Sequence, residues 1–156
     1  MDVLFARKAP FRQRRPGVVN LLSATEMEAF LRNGLVGRLD LSGAERKKRR
    51  MLAIAEARHL ADMMADEPIG VQIGIVPDTL PHTGFQIFRQ PDRKMLTVSP
   101  FRLGAQPNVR VGVAMITSAP EALSLHEKTV EDMWRRALKG SAAGEFMCNL
   151  IAKHAS

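Results

Sequence analysis

The stretch GVQIGIVPDTLPHTGFQIF, residues 70–88, predicts two strands joined by a turn-rich loop. Its first part, GVQIGIV (70–76), is rich in β-branched residues, and its last part, GFQIF (84–88), alternates apolar and polar side chains. The residues between them include two prolines and an aspartate, and Gly84 follows, a composition that favours turns. The stretch therefore predicts the beginning of a sheet.

Two further segments extend the predicted sheet. KMLTVSPF (94–101) and VRVGVAMIT (109–117) are β-prone, and segments of turn composition separate them from each other and from the first two strands. Four short strands with tight connections favour antiparallel or mixed pairing. We therefore expect a small four-stranded sheet over about residues 69–116.

Two helices are predicted before the sheet. SATE (23–26) and SGAE (42–45) are capping boxes, in which a serine and the glutamate three residues later satisfy backbone amides at a helix start. The second helix should extend to about Asp66, because Pro68 cannot continue it. Its predicted apolar face consists of Ile54, Ala57, Ala61 and Met64.

Two more helices are predicted after the sheet. SAPE (118–121) has the composition of a helix start, and Gly140 is expected to end that helix. SAAGEFMCNLIAKHA (141–155) predicts a last short helix. The order is α–α–β–β–β–β–α–α, and such segregation indicates the α+β class, with helices from both ends of the chain packed on the sheet.

The basic charge lies in the first part of the chain. Residues 1–60 contain 13 Lys/Arg and 6 Asp/Glu, whereas residues 61–156 contain ten of each. We expect residues 1–20 to form a basic extended arm and residues 21–156 a single domain. The natural partner of such a surface is nucleic acid or an acidic protein, and the alternative is a solvated tail and helix face. The candidate contacts are Arg12, Arg14, Arg15, Arg46, Lys47, Lys48, Arg49 and Arg50.

The compartment is predicted from cysteine content and hydropathy. The single cysteine, Cys148, excludes an internal disulfide framework. No apolar run approaches the roughly 18 residues of a membrane span, and the charged N-terminal residues do not resemble a secretory signal. We therefore expect a cytoplasmic protein without a membrane partner.

No recognisable catalytic or metal-binding motif occurs in the sequence. The four histidines are far apart, and neither a nucleophile elbow nor a glycine-rich phosphate loop is present. We expect no metal and no cofactor. The loop at 77–84 is the candidate small-molecule site, since polar groups at strand ends often orient a ligand; the alternative is a plain turn. Its candidate residues are Asp78, His82, Thr83 and Phe85.

The chain from residue 60 onward resembles one protein family. HLADMMADEPIGVQIGIVP (59–77), GFQIF (84–88) and MITSAPEALSLHEKTVEDMWRRAL (115–138) are similar to its helix, strands and closing helix, and RPGVVNLLSATEMEAFL (15–31) is similar to its upstream segment. The family is the C-terminal effector or antitoxin-like domain of Xre-type helix-turn-helix regulators. The resemblance implies the sensing or partner-binding half of a transcription factor. The family's Arg-Gln helix and acidic strand have no clear counterpart here.

Three functions are compatible with these observations. The first is a non-enzymatic regulatory domain in transcriptional regulation, which binds a partner or a small-molecule effector. The second is a nucleic-acid-binding module that acts through residues 1–60. The third is a small enzyme without a recognisable motif, which would need a cleft gathering Asp78, His82 and another titratable group. A homodimer through the helix of Trp134 or through the last helix is a further expectation.

Overall fold

The computed structural model describes residues 17–35, 37–78, 83–106 and 111–154. The chain is α+β, as its sequence predicts, with helices towards both ends. The described elements are β1 (Val18–Ser23), α1 (Ala24–Asn33), α2 (Gly43–Asp66), β2 (Val71–Val76), β3 (Gly84–Arg89), β4 (Lys94–Ser99), β5 (Met115–Thr117), α3 (Pro120–Arg136) and α4 (Gly140–His154).

The strands of the described residues form two sheets, so the prediction of one four-stranded sheet over 69–116 is wrong. β1 pairs in parallel with β2, from Val18 opposite Val71 to Ser23 opposite Val76. β3, β4 and β5 form a separate antiparallel sheet. The difference arises at β2, because its partner β1 begins within the segment 1–20 that the sequence assigned to the basic arm and continues to Ser23. The helices α1 and α2 supply the crossover that a parallel pair requires.

The second edge of β2 is occupied by the connection between α3 and α4. Ile75 and Leu138 exchange two backbone hydrogen bonds, of 2.9 and 2.8 Å. Because Leu138 is extended, α3 ends at Arg136 rather than at the predicted Gly140, which instead begins α4. The start of α3 also differs in detail, since its N-cap is Ala119 and not Ser118.

The helix boundaries before β2 follow from local sequence. The hydroxyl of Ser23 accepts a hydrogen bond from the Glu26 amide at 3.4 Å, and that of Ser42 accepts one from the Glu45 amide at 3.2 Å. Both predicted N-cap serines are thus confirmed, whereas the two glutamate side chains of the predicted capping boxes bind Arg102 and Arg49. α2 ends at Asp66, and the next residue, Glu67, is left-handed with φ of 43°.

The main core lies between α2 and α4, which pack antiparallel through small residues. A Cβ on Gly144 would lie 3.0 Å from the carbonyl oxygen of Ala61, so the two helices approach too closely for a larger side chain there. Met64 and Met147 are almost fully buried in the same cluster. Complete burial of one such side chain contributes about 1.5–3 kcal/mol.

The three-stranded sheet contacts α3 through a pair of rings, through apolar packing and through a charge cluster. The rings of Phe85 and His126 lie edge to face, with their centroids 4.8 Å apart. Phe85 also packs against the buried apolar cluster of α3. Glu127 accepts hydrogen bonds from Lys94 at 2.9 Å and from Arg89 at 3.0 Å. These two cations hold the pKa of the Glu127 carboxyl below its usual value. Among the described residues, no helix is long and apolar enough to cross a membrane.

Candidate nucleic-acid interface

Three helix ends converge around a groove of about 490 Å³. The C-terminal turn of α1, the N-terminal turns of α2 and the C-terminal turn of α4 form its walls. We call it the basic groove and define it by the side chains on its charged side, which are Arg32, Arg46, Lys47, Arg50 and His154. No carboxylate is among the described residues that line it.

The cations reach the groove because they continue the buried face of α2. Arg46 and Arg50 are one turn apart, and the 3.6-residue period places them on the same face as Ala57, Ala61 and Met64. Those three residues are buried against the rest of the core. The face of α2 therefore changes from apolar to cationic where its partner helix α4 ends.

Arg46 and Lys47 present their charges to the groove. Both residues are exposed, and their side chains form no ion pair within the part of the chain that the structure describes. The two acids near them in the sequence pair with other arginines: Glu45 binds Arg49 at 3.3 Å, and Asp40 binds Arg38. Neither of these two carboxylates therefore pairs with Arg46 or Lys47.

The charge distribution along α2 opposes its helix dipole except in its first turn. The first turn holds the acid Glu45, but Arg46 to Arg50 follow directly, and the last turn holds Asp66 and no base. Each exposed charge of the wrong sign near a helix end costs about 0.3–1 kcal/mol. Arg46 and Lys47 are therefore unfavourable for the stability of α2, which is typical of residues kept for binding rather than for folding.

The segment of residues 102–106 forms the rim of the groove. The Asn33 side-chain amide donates to the carbonyl oxygen of Gly104 at 2.8 Å, and Arg102 binds Glu26 at 2.8 Å. Gly104 has φ of +65°, and a Cβ there would lie 2.5 Å from backbone atoms of α1. This close approach positions Gln106 against the groove.

One acid borders the groove from α1. Glu28 accepts a hydrogen bond from Nε2 of His154 at 3.2 Å, and its Oε1 lies 3.6 Å from Nζ of Lys153. The hydrogen bond from His154, followed by the charge of Lys153, lowers the pKa of the Glu28 carboxyl. Glu28 therefore stays ionised and bound to the end of α4.

The structure divides the predicted basic cluster of α2. Arg46, Lys47 and Arg50 line the basic groove. Lys48 is exposed but does not line it, and Arg49 is bound to Glu45. The other three predicted basic contacts, Arg12, Arg14 and Arg15, lie outside the described residues.

Sequence reasoning missed the groove residues that come from other elements. Arg32 ends α1, His154 ends α4, and Gln106 follows β4, so only tertiary packing brings them to α2. The sequence of α2 does indicate two of the groove residues, because helical periodicity places Arg46 and Arg50 on the same face as its predicted apolar residues. The same periodicity places Lys48 and Arg49 on other faces of the helix.

The described ends of the loop proposed as a small-molecule site are exposed. Asp78 is exposed and forms an ion pair with Arg136 at the end of α3. Phe85 packs on His126, and Thr83 is exposed. His82 lies outside the described residues. The described part of the chain holds no group of three or more His, Cys, Asp or Glu arranged for a metal ion.

No protein-family model matches the chain, and no curated protein or solved structure is significantly similar to it. The chemistry of the basic groove is therefore the basis for a functional hypothesis.

Proposed function

We propose that this chain is a non-enzymatic regulatory domain that binds nucleic acid through the basic groove. The observation that carries this proposal is a concave surface lined by four Lys/Arg side chains and no carboxylate among the described residues. A role in transcriptional regulation stays a prediction from the resemblance to Xre-type effector domains.

The arginine side chains of the groove favour a phosphate as its ligand. A guanidinium presents several N–H donors in a planar fork that matches the oxygens of a phosphate. Arg32, Arg46 and Arg50 approach the groove from two helices, so their donors converge on the same volume. A concave surface of one sign of charge also raises the local concentration of an oppositely charged ligand.

The helix dipole distinguishes these cations from ordinary surface charges. Arg32 and Lys153 lie in the last turns of their helices, where cations are stabilising without any ligand. Arg46 and Lys47 have no such structural reason. A bound phosphate would remove the repulsion between them and the positive end of α2.

The test compares two double variants that remove the same charge. Arg46→Gln/Lys47→Gln changes the groove, and Arg58→Gln/Lys128→Gln removes two exposed cations elsewhere. Binding of a labelled random DNA duplex and of an RNA hairpin is measured at 50 and 200 mM salt. Affinity should fall with salt, and the groove variant should lower the slope of log K against log salt by about 2.

The control variant tests whether the position of the removed charge matters. It should retain most of the wild-type affinity and most of the slope of log K against log salt. Equal losses in both variants would mean that binding depends on net charge and not on the basic groove. Absence of binding to either nucleic acid at 50 mM salt would overturn the proposed function and leave an acidic protein as the partner to test.

A further inference from the structure

We infer that the basic groove holds an unpaired nucleotide of a single-stranded nucleic acid, with its phosphate on the cationic wall and its base against Met51. This inference rests on the proposed function and adds the form of nucleic acid that is recognised. It follows from the part of the groove that is not charged.

The groove has an apolar wall beside its cations. Met51 and Ile54 line it together with Arg50, which precedes Met51 in α2. Met51 is 59% exposed, so its side chain forms an accessible apolar surface among basic residues. The phosphate and sugar of a nucleotide do not need an apolar surface for binding. A base can pack on such a surface, because both of its faces are apolar and the flexible methionine side chain adapts to flat partners.

Two amides add hydrogen-bonding groups suited to a base edge. Asn33 and Gln106 both line the groove. The bond from Nδ2 of Asn33 to the carbonyl oxygen of Gly104, at 2.8 Å, fixes the orientation of the Asn33 amide. Its oxygen remains an acceptor, and Gln106 brings a donor and an acceptor. Unpaired bases are recognised by such groups on their Watson–Crick edges.

The shape of the site favours a single strand over a duplex. Proteins that read duplex DNA insert a protruding helix or ribbon into a groove of the nucleic acid. Here the cationic turns of α2 form one wall of a concavity of about 490 Å³, which is too small to admit the width of a duplex. In a duplex the faces of the bases are also covered by stacking, so Met51 would have no partner. A cavity of about 490 Å³ lies within the range typical of small-ligand pockets.

The experiment separates contacts to the base from contacts to the phosphate. Affinity is measured at 50 mM salt for a labelled 12-nucleotide single strand, for its blunt duplex, and for an abasic strand with the same phosphates. The proteins are wild type, Met51→Ala, and Leu52→Ala as the matched control. Leu52 is 60% exposed, adjacent in sequence, and does not line the groove.

The wild type should bind the single strand severalfold more tightly than the abasic strand, because the abasic strand lacks the base whose face would contact Met51. It should also prefer the single strand to the duplex. Met51→Ala should abolish the difference between single strand and abasic strand, whereas Leu52→Ala should retain it. Both substitutions are on the surface, and circular dichroism checks that both variants are folded.

The outcomes distinguish this inference from the proposed function. If the three nucleic acids bind equally and Arg46→Gln/Lys47→Gln weakens all of them, the groove binds phosphate only; the inference is then wrong and the proposed function stands. If Met51→Ala and Leu52→Ala behave alike, the base does not contact Met51, and the inference is again wrong. If none of the three nucleic acids binds, both proposals are wrong.

Discussion

Nη2 of Arg50 donates a hydrogen bond to the main-chain oxygen of His154, across 3.1 Å, and so connects the start of α2 with the end of α4. Arg50 also lines the basic groove. The same side chain therefore belongs both to the helix pair that forms the core and to the proposed nucleic-acid site. Binding and folding are coupled at this residue, and the two roles can be separated by comparison with its neighbours.

Arg50→Gln should destabilise the protein as well as weaken binding. The variant loses a partly buried hydrogen bond from a charged donor, and such bonds contribute about 1.5–3 kcal/mol. Urea unfolding followed by circular dichroism measures the loss. Lys47→Gln is the control, because Lys47 lines the groove without a bond of this kind. A decrease in stability of the same size in Lys47→Gln would contradict the structural role of Arg50.

Arg46→Gln/Lys47→Gln should have the opposite effect and make the protein more stable. Both cations lie near the positive end of the α2 dipole, and their removal should add about 0.5–1 kcal/mol to the free energy of unfolding. Thermal unfolding at low salt is the appropriate measurement, since salt screens the effect. Arg32→Gln, in the last turn of α1, should slightly lower stability, because a cation is favourable there. An unchanged or lower melting temperature for the double variant would contradict the assignment of Arg46 and Lys47 as unfavourable for folding.

Glu28 should make stability depend on pH in the acid range. Its pKa is lowered from 4.5 in the folded chain by the hydrogen bond from His154 and the charge of Lys153. The unfolded chain therefore binds the proton more readily, and the contribution of Glu28 is complete above pH 4.5 and lost as the pH falls through the lowered pKa. The melting temperature of wild type should exceed that of Glu28→Gln at pH 6. The difference should shrink as the pH falls below 4.5, and a difference that grows instead would refute the ion pair.

Gly104→Ala should strongly destabilise the rim of the groove. The added Cβ would meet the backbone of Ala29 and Phe30 at 2.5 Å, and φ of +65° is unfavourable for alanine. Strain of this kind costs about 1–3 kcal/mol or displaces the segment. Unfolding experiments should show this loss, and nucleic-acid affinity should change because Gln106 moves. Gly17→Ala is the control, since no atom lies within 4 Å of a Cβ at that position and Gly17 does not line the groove. Equal stability of both variants would mean that residues 102–106 do not pack on α1 as described.

The helices were predictable because their ends depend on local chemistry. The capping serines Ser23 and Ser42 bond to amides only three residues away, and Gly34 closes α1 with φ of +80°. Such signals need no knowledge of the rest of the chain. Where a distant contact competed, local reasoning failed: α3 stops at Arg136 because Leu138 pairs with Ile75.

The strands show the limit of sequence patterns more clearly. The composition of residues 71–76 indicates a strand but carries no information about its partner. β1 has six residues, like β2, but it follows a basic lead, and its sequence does not indicate that it lies beside β2. Pairing of Val18 with Val71 is decided by how α1 and α2 fold back between the two strands.

The candidate site was predictable in part. Arg46, Lys47 and Arg50 stand out in the sequence as a run of bases in the first turns of a helix. The groove that they line cannot be recognised from the sequence, because Arg32 and His154 belong to other helices. The complete arrangement exists only once α1, α2 and α4 are packed together.

The antiparallel packing of α2 with α4 also has a consequence for synthesis of the protein. α2, at residues 43–66, is synthesised well before its main partner α4, at residues 140–154. Until α4 emerges, Ala57, Ala61 and Met64 have no surface to cover them on that side. A nascent chain that lacks α4 would therefore expose an apolar helix face beside a cationic end, a combination that promotes aggregation and recognition by chaperones. Formation of this core should therefore wait until α4 has been synthesised.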